Sequence, residues 1–220
     1  MAAQQILQSS FKASQGEEYL VKERFLDADI ALEKGIGFGT NQLIEGLLDA
    51  GFTLDDLIFY GFVGFSNNFN YFGDISAILE NRGLRVSENR EKEGYPCSVL
   101  HDRITFPLTL FGAINNFYGR IIRGNNRRFY HRKLTVEYTG VAHGGFNMGV
   151  AEDLKIREVF LVEGCCDALT LMQMGYPSTI GIIGVDHLII LETLARSDKK
   201  IAVALDYDQG GKDKTRGYYI

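Results

Sequence analysis

Glu163 closes the apolar run EVFLVEG, and Asp206 with Asp208 closes a second run, KKIAVALDYD. Glycine follows both, at Gly164 and at Gly210 and Gly211. Two carboxylates one residue apart in an extended chain point the same way. Held together without a counter-charge they repel, and one is driven to protonate. A hard divalent cation removes that conflict, and oxygen ligands are what Mg²⁺ takes. A single acid after a strand is usually a helix cap or a turn residue. Two strands that both end in acids and glycine keep metal chemistry open beside that plainer reading.

A second chemistry lies in the charge distribution. The 220 residues carry a net charge of −5, which argues against generic binding of polyanions. Residues 101–135 are the exception: Arg103, Arg120, Arg123, Arg127, Arg128, Arg132 and Lys133 stand against the single acid Asp102. That is a surplus of +6, leaving −11 for the rest of the chain. Such segregation suits a track for a phosphate backbone, or else a solvated basic hairpin.

Composition excludes several other classes. Hydrophobic residues make up 45% and charged residues 23%, as in an ordinary globular protein. No apolar run approaches the roughly 20 residues that span a bilayer, and the first residues lack the pattern of a secretory signal. A cytoplasmic protein without a membrane partner is expected. Cys97 stands alone and Cys165 adjoins Cys166, so no Cys-x-x-Cys pair exists and no zinc is expected.

The elements that must position these residues change along the chain. Residues 1–15 read as a flexible segment. Apolar residues between Gly16 and Lys34 recur at helical spacing, and the helices end at the Gly35, Gly37 and Gly39 cluster. Asn41 can cap the helix QLIEGLLDA, which Gly51 can stop, and Thr53 with Asp56 starts another. SNNFNYFGD reads as loop and NRGLRVSENREKEGYP as an exposed segment. RITFPLTL, FYGRIIR and RRFYHRKLTV then predict an antiparallel meander, with turns at 112–116 and 124–126. In the last third, EVFLVEG, PSTIGIIG and KKIAVALDYD predict buried strands alternating with the helices CCDALTLMQMG and VDHLIILETLARS. That alternation implies a parallel sheet. The acids fall at the carboxyl ends of its strands, where open parallel sheets bind ligands.

VEGCCDALTL followed by LDYDQGG resembles the TOPRIM signature, a glutamate–glycine after one strand and an aspartate–x–aspartate after a later one. Upstream, DRITFPLTLFGAINNFYGRII resembles the segment of DnaG-type primases in which an Arg-x-x-Phe-Pro strand leads to a Gly-Arg strand. YLVKERFLDADIALEKGIGFG and LLDAGFTLDDL resemble the helical opening of the same polymerase core. The resemblance runs from about Glu17 to the end of the chain.

This resemblance implies an α/β protein. Its mixed α+β N-terminal subdomain, residues 16–152, carries a basic antiparallel sheet. A Rossmann-like TOPRIM parallel sheet follows at 153–220, incomplete at its C-terminus. Glu163, Asp206 and Asp208 match the family's metal-site acids, for Mg²⁺ or Mn²⁺, and Asp167 matches a further catalytic acid that orients a ligand or an outer-shell water. Arg103 and Arg120 match arginines of the basic track. Arg128, His131 and Lys133 lie near family lysine and tyrosine positions, or are simply surface residues.

The implied activity is metal-dependent synthesis of short RNA primers on single-stranded DNA from nucleoside triphosphates. A replicative helicase, or a second chain completing the TOPRIM sheet, are implied partners. The family's zinc ribbon, third acidic motif and helicase-binding domain are missing from this sequence, so the expectation is of a truncated primase core. A TOPRIM nuclease, or a nucleic-acid-binding fragment without catalysis, are the competing readings.

Overall fold

The computed structural model describes residues 1–67, 72–86, 94–122, 131–134, 144–183 and 188–205. The chain divides into two compact units, each discontinuous in sequence. One comprises Met1–Ala28, Gly35–Phe106 and Phe117–Val141, and the other Asp29–Lys34, Pro107–Asn116 and Ala142–Ile220. Pro107–Asn116 belongs with the second unit because its strand pairs there with Gly145 and Phe146.

In the first unit, residues expected to be flexible form helix α1 (Ala2–Ser9). Leu7 is 1% and Phe11 0% exposed. Glycines make the room: a Cβ on Gly37 would lie 2.6 Å from Leu7 Cβ, and one on Gly46 2.8 Å from Ile6 Cδ1. Helix α2 (Gln15–Glu18) is capped by Ser14 Oγ, which accepts from the N–H groups of Gly16 and Glu17, and it runs into a π-helical turn, Tyr19–Glu23. Helix α3 (Ala28–Glu33), whose residues from Asp29 onward belong to the second unit, is next in sequence and ends before Gly35, whose φ is +78°. Gly37–Gly39, read from sequence as part of that helix stop, instead forms strand β1.

Helices α4 (Gln42–Asp49) and α5 (Leu54–Phe59) are separated by Gly51 at φ +91°, as the sequence suggests. Thr53 and Asp56 make a reciprocal capping box, whose hydrogen bonds hold the Asp56 carboxyl below the usual carboxylate range. Asn41 does not cap α4. Its backbone is already helical, whereas a capping residue needs extended dihedrals, and its Nδ2 donates to the Asp74 carbonyl at 2.9 Å.

Strands β2 (Val63–Ser66), β3 (Gly73–Asp74) and β4 (Tyr95–Ser98) form a small antiparallel sheet in the order β2-β4-β3, with helix α6 (Ser76–Asn81) between β3 and β4 in sequence. Cys97 is buried in its central strand, and burial pushes the thiol up to about 11.

Strand β5 (Arg103–Leu110) pairs antiparallel with β1, Gly37 opposite Thr105 and Gly39 opposite Arg103. Strand β6 (Ala113–Ile121) lies beside β5, and β7 (His131–Lys133) pairs antiparallel with β6. The turn expected over 112–116 is tighter than that: Phe111 and Gly112 both take positive φ, 53° and 72°, and the strand resumes at Ala113. The turn expected at 124–126 lies outside the described residues.

The second unit holds β8 (Gly145–Phe146), α7 (Gly149–Glu152), β9 (Glu158–Val162), α8 (Cys165–Gln173), β10 (Thr179–Gly181), α9 (Leu188–Ala195) and β11 (Lys200–Ala204). The strand order is β11-β9-β10-β8-β5. Strands β10 and β11 both run parallel to β9, while β8 is antiparallel to β10 and β5. The core joins Val159, Leu161, Ile180 and Ile182 of this sheet to Ile190 and Leu194 of α9. Asn147, at φ +60°, ties β8 to β10 by donating to the Pro177 and Thr179 carbonyls.

Strand β11 departs from the expectation of a buried strand. Ile201 and Val203 are each 37% exposed, because β11 ends the strand order and has β9 as its one neighbour among the described strands.

Gly39 and Gly149 give a direct check on these close approaches. A Cβ on Gly39 would run into the Leu100 carbonyl, which is backbone and cannot rotate aside, whereas one on Gly149 meets nothing nearby. In urea unfolding, Gly39→Ala should cost about 1–3 kcal/mol or more, and Gly149→Ala should stay within about 0.5 kcal/mol of the parent.

Candidate metal centre and nucleic-acid interface

Glu163 is the first residue after β9, and Gly164 is the N-cap of α8. The loop is fixed by backbone contact. A Cβ on Gly181 would stand 3.0 Å from the Gly164 carbonyl oxygen and 3.3 Å from Cys165 Cα, so a larger residue in β10 would press the loop away by a few tenths of an ångström. Gly164 itself has an extended φ of −132°, and its smallness serves space instead of dihedral freedom. A Cβ there would come within 2.5 Å of Asp167 Oδ2, whose carboxylate folds back over the loop. Asp167 lies in the first turn of α8, where the helix dipole favours negative charge, and it is exposed; Glu163 is half-buried.

Strand β11 runs beside β9 with Lys200 opposite Glu158 and Ala204 opposite Val162. Paired strands lie about 4.8 Å apart, so the carboxyl ends of these two strands are neighbours. Leu205 is the last described residue of this stretch; Asp206 and Asp208, which follow it in sequence, lie outside the described residues. Among the described residues, no three His, Cys, Asp or Glu side chains come together as a metal site. The donor set read from sequence is three carboxylates, which is the chemistry a hard divalent cation takes. The loop also has room for carboxylate oxygens where a side chain at 164 would stand. On both counts the residues fit such an ion.

The basic residues are split by strand alternation. Register places Arg132 opposite Gly119, and Lys133 opposite Tyr118, in the β6–β7 pair. Directly opposed residues share a face, and neighbours along a strand take opposite faces. Arg120 and Lys133 therefore lie on one face, and Gly119 and Arg132 on the other. A Cβ on Gly119 would be 2.7 Å from Arg103 Cδ, which puts the Arg103 side chain on the Arg132 face.

Arg103 differs most from the expected open track. It is 0% exposed, and its Nε donates to the Val99 carbonyl at 3.1 Å. It is enclosed because this half of β5 is covered on both faces. Gly16 of α2 packs on Phe38 and Ile104, while Leu100 and Leu7 lie over the glycines on the other side. Burial, with the Arg132 charge adding to it, pulls the Arg103 guanidinium down to about 10. Arg120, Arg132 and Lys133 are half-buried. Arg123, Arg127 and Arg128 lie outside the described residues, and only the strand pairing of His131, opposite Arg120, is described.

Two aromatic residues that charge counting does not select belong to this arrangement. The Arg120 guanidinium stands 5.9 Å from the centroid of the Tyr19 ring, and the Phe72 ring lies 5.5 Å from that of Arg103 and 5.4 Å from that of Arg132. Phe72 comes from SNNFNYFGD, where the run of aromatics among asparagines was the available signal. Tyr19 carries no such signal.

No protein-family model matches the chain. A DNA primase of Rickettsia conorii is 24% identical over 181 residues, a match covering 78% of this chain and 30% of that protein. The RNA polymerase domain of Mycobacterium tuberculosis primase DnaG, in complex with a double-stranded DNA oligomer with a 6-nucleotide overhang, superposes with a TM-score of 0.68 at 17% identity, over 96% of this chain and 64% of that one. A DnaG primase catalytic domain bound to single-stranded DNA gives a TM-score of 0.68 at 18% identity, over 97% and 64%. The chain thus spans about 30% of the length of the curated relative and about 64% of these structures. Its fold is that of the DnaG-type primase catalytic core.

A charge held in the interior for its electrostatics should cost stability. The folded value for Arg103 lies below the unfolded one, so the folded state holds this proton less tightly. The penalty is fully present below pH about 10 and is relieved as the pH rises from there towards the ordinary arginine range. In urea unfolding at neutral pH, Arg103→Met should be no less stable than the parent, within about 1 kcal/mol. Leu108→Ala, a plain core truncation, should lose about 2–5 kcal/mol.

Proposed function

We propose that this chain carries out metal-dependent synthesis of short RNA primers on a single-stranded DNA template, as a DnaG-type primase. The observation that supports this most is the parallel register of β9 and β11, which pairs Val162 with Ala204 at the carboxyl ends of the two acid-terminated strands. The fold shared with DnaG catalytic cores supports the same reading.

On this reading Glu163, Asp206 and Asp208 hold Mg²⁺ or Mn²⁺ through carboxylate oxygens. The bound ion would favour ionisation of the primer 3′-hydroxyl and offset charge at the transferring phosphorus. Each carboxylate gains from the ion what it loses to its neighbours: at an effective dielectric near 20, a unit charge pair at about 4 Å is worth roughly 4 kcal/mol. Asp167, one helical turn beyond Glu163, orients a ligand or an outer-shell water, and losing such support costs about 10–100-fold in metal affinity. Arg120, Arg132 and Lys133, with Arg123, Arg127 and Arg128, hold the template backbone through contacts that are largely independent of sequence and weaken with salt. Arg103 adds its charge from behind. Nucleoside triphosphates are the other substrates, and a replicative helicase is the partner beside which such an activity works, in the cytoplasm.

Labelled single-stranded DNA incubated with Mg²⁺, with and without ribonucleotides, tests the reading. Extended products that need ribonucleotides are expected from the parent. Glu163→Gln, Asp206→Asn and Asp208→Asn should each lower the yield about 100-fold or more, with template affinity retained. Shortened strands instead of extended ones would make the protein a nuclease, and binding with no product at all would leave it a nucleic-acid-binding protein. Unchanged yield from the three variants would remove the acids from the chemistry.

A further inference from the structure

Phe72 precedes β3 and is 7% exposed. The guanidinium carbons of Arg103 and Arg132 stand 5.5 Å and 5.4 Å from its ring centroid. The two arginines belong to different strands, β5 and β7, with β6 between them. They reach one face because Gly119 lies beneath the Arg103 side chain and opposite Arg132 in the ladder. Two cations brought this close repel, and the pull of Arg132 on the Arg103 proton records it. Arg103 nevertheless stays charged at neutral pH. The negative face of an aromatic ring attracts each guanidinium, more strongly where water is excluded, and the Phe72 ring is shared by both.

The arrangement has an electrostatic consequence. Arg132 is half-buried, and the guanidinium of Arg103 is enclosed. Salt screens exposed charges well and buried ones poorly. An anion meeting Arg132 would therefore feel a second positive charge that the solvent cannot shield, provided that both guanidiniums are kept beside the same ring.

We propose that Phe72 is a positioning residue of the DNA track: its one ring holds both the Arg103 and Arg132 guanidiniums, so that Arg132 meets a backbone phosphate of single-stranded DNA with a buried charge near it. Phe72 itself touches no phosphate. The inference rests on the reading of the basic strands as a template-binding surface.

Fluorescence anisotropy with a labelled oligothymidylate, titrated between about 50 and 200 mM salt, tests it. The proteins are the parent, Phe72→Leu, Phe72→Tyr, Arg132→Gln and the Phe72→Leu/Arg132→Gln double variant. Removing one phosphate contact to a single strand lowers the slope of log K against log salt by about 0.7. Arg132→Gln should show that change, and Phe72→Leu should show the same change with affinity about three- to tenfold weaker. The double variant should bind no more weakly than Arg132→Gln, since the two residues act through one contact. Phe72→Tyr keeps the ring and should restore both affinity and slope. Thermal melting of each variant separates these effects from unfolding.

Parental affinity and slope in Phe72→Leu would overturn the proposal. So would a loss that adds to that of Arg132→Gln with the slope unchanged, the mark of a packing role alone. A parent that fails to bind the oligonucleotide, or binds it without salt dependence, would instead overturn the reading of the basic strands as a DNA track, and is distinguishable in the same titration.

Discussion

Backbone-to-backbone approach at Gly164 and Gly181 is the constraint on which the candidate centre depends. The loop that carries Glu163 lies on β10 with no side chain between them, and the Asp167 carboxylate fills the space that a residue larger than glycine at 164 would take. Side chains can change rotamer, whereas backbone seated on a neighbouring strand moves only with that strand. The loop that begins at Glu163 therefore has its backbone at Gly164 and Cys165 seated on β10. The parallel register then brings the end of β11 alongside, with the first of the two aspartates two residues beyond the last paired residue.

The basic strands follow a different logic. Alternation along β6 and β7 sends Arg120 and Lys133 to one face and Arg132 to the other, so the basic residues described on these two strands are shared between two surfaces. Each described surface pairs its arginine with an aromatic ring, Tyr19 on one side and Phe72 on the other. An aromatic ring restricts a long flexible side chain while leaving its charge intact, which lowers the entropy lost when a phosphate is met. Arg103 is the extreme case, a fully enclosed cation whose proton is loosened by burial and by the Arg132 charge.

Local rules were readable along much of the chain. RITFPLTL matches β5 from end to end, and EVFLVEG, PSTIGIIG and KKIAVALDYD each contain a shorter strand of the parallel set, EVFLV, TIG and KIAVA. The Thr53–Asp56 capping box and the helix stop at Gly51 came from single residues acting on their own backbone. Readings that needed a distant partner went astray. The packing of α1 depends on glycines some 30 and 40 positions away, at Gly37 and Gly46. Asn41 is drawn from its capping role by the Asp74 carbonyl. Burial of β11 and Arg103 depends on where each lies in the strand order, which composition does not encode. The acids were legible as a motif, while only Glu163 and Asp167 lie within the described residues.

On the proposed function, Glu163 and the Asp206–Asp208 segment share one divalent ion. Iron-directed cleavage measures this directly: Fe²⁺ replaces Mg²⁺, added hydrogen peroxide is reduced at the ion to hydroxide and a hydroxyl radical while ascorbate returns the iron to Fe²⁺, and the radicals cut the nearby backbone. Two sets of cuts are predicted, one close to Glu163 and one close to Asp206 and Asp208, both suppressed by excess Mg²⁺ and both lost in Glu163→Gln. Cuts confined to one of the two segments, or persisting unchanged in Glu163→Gln, would contradict the account.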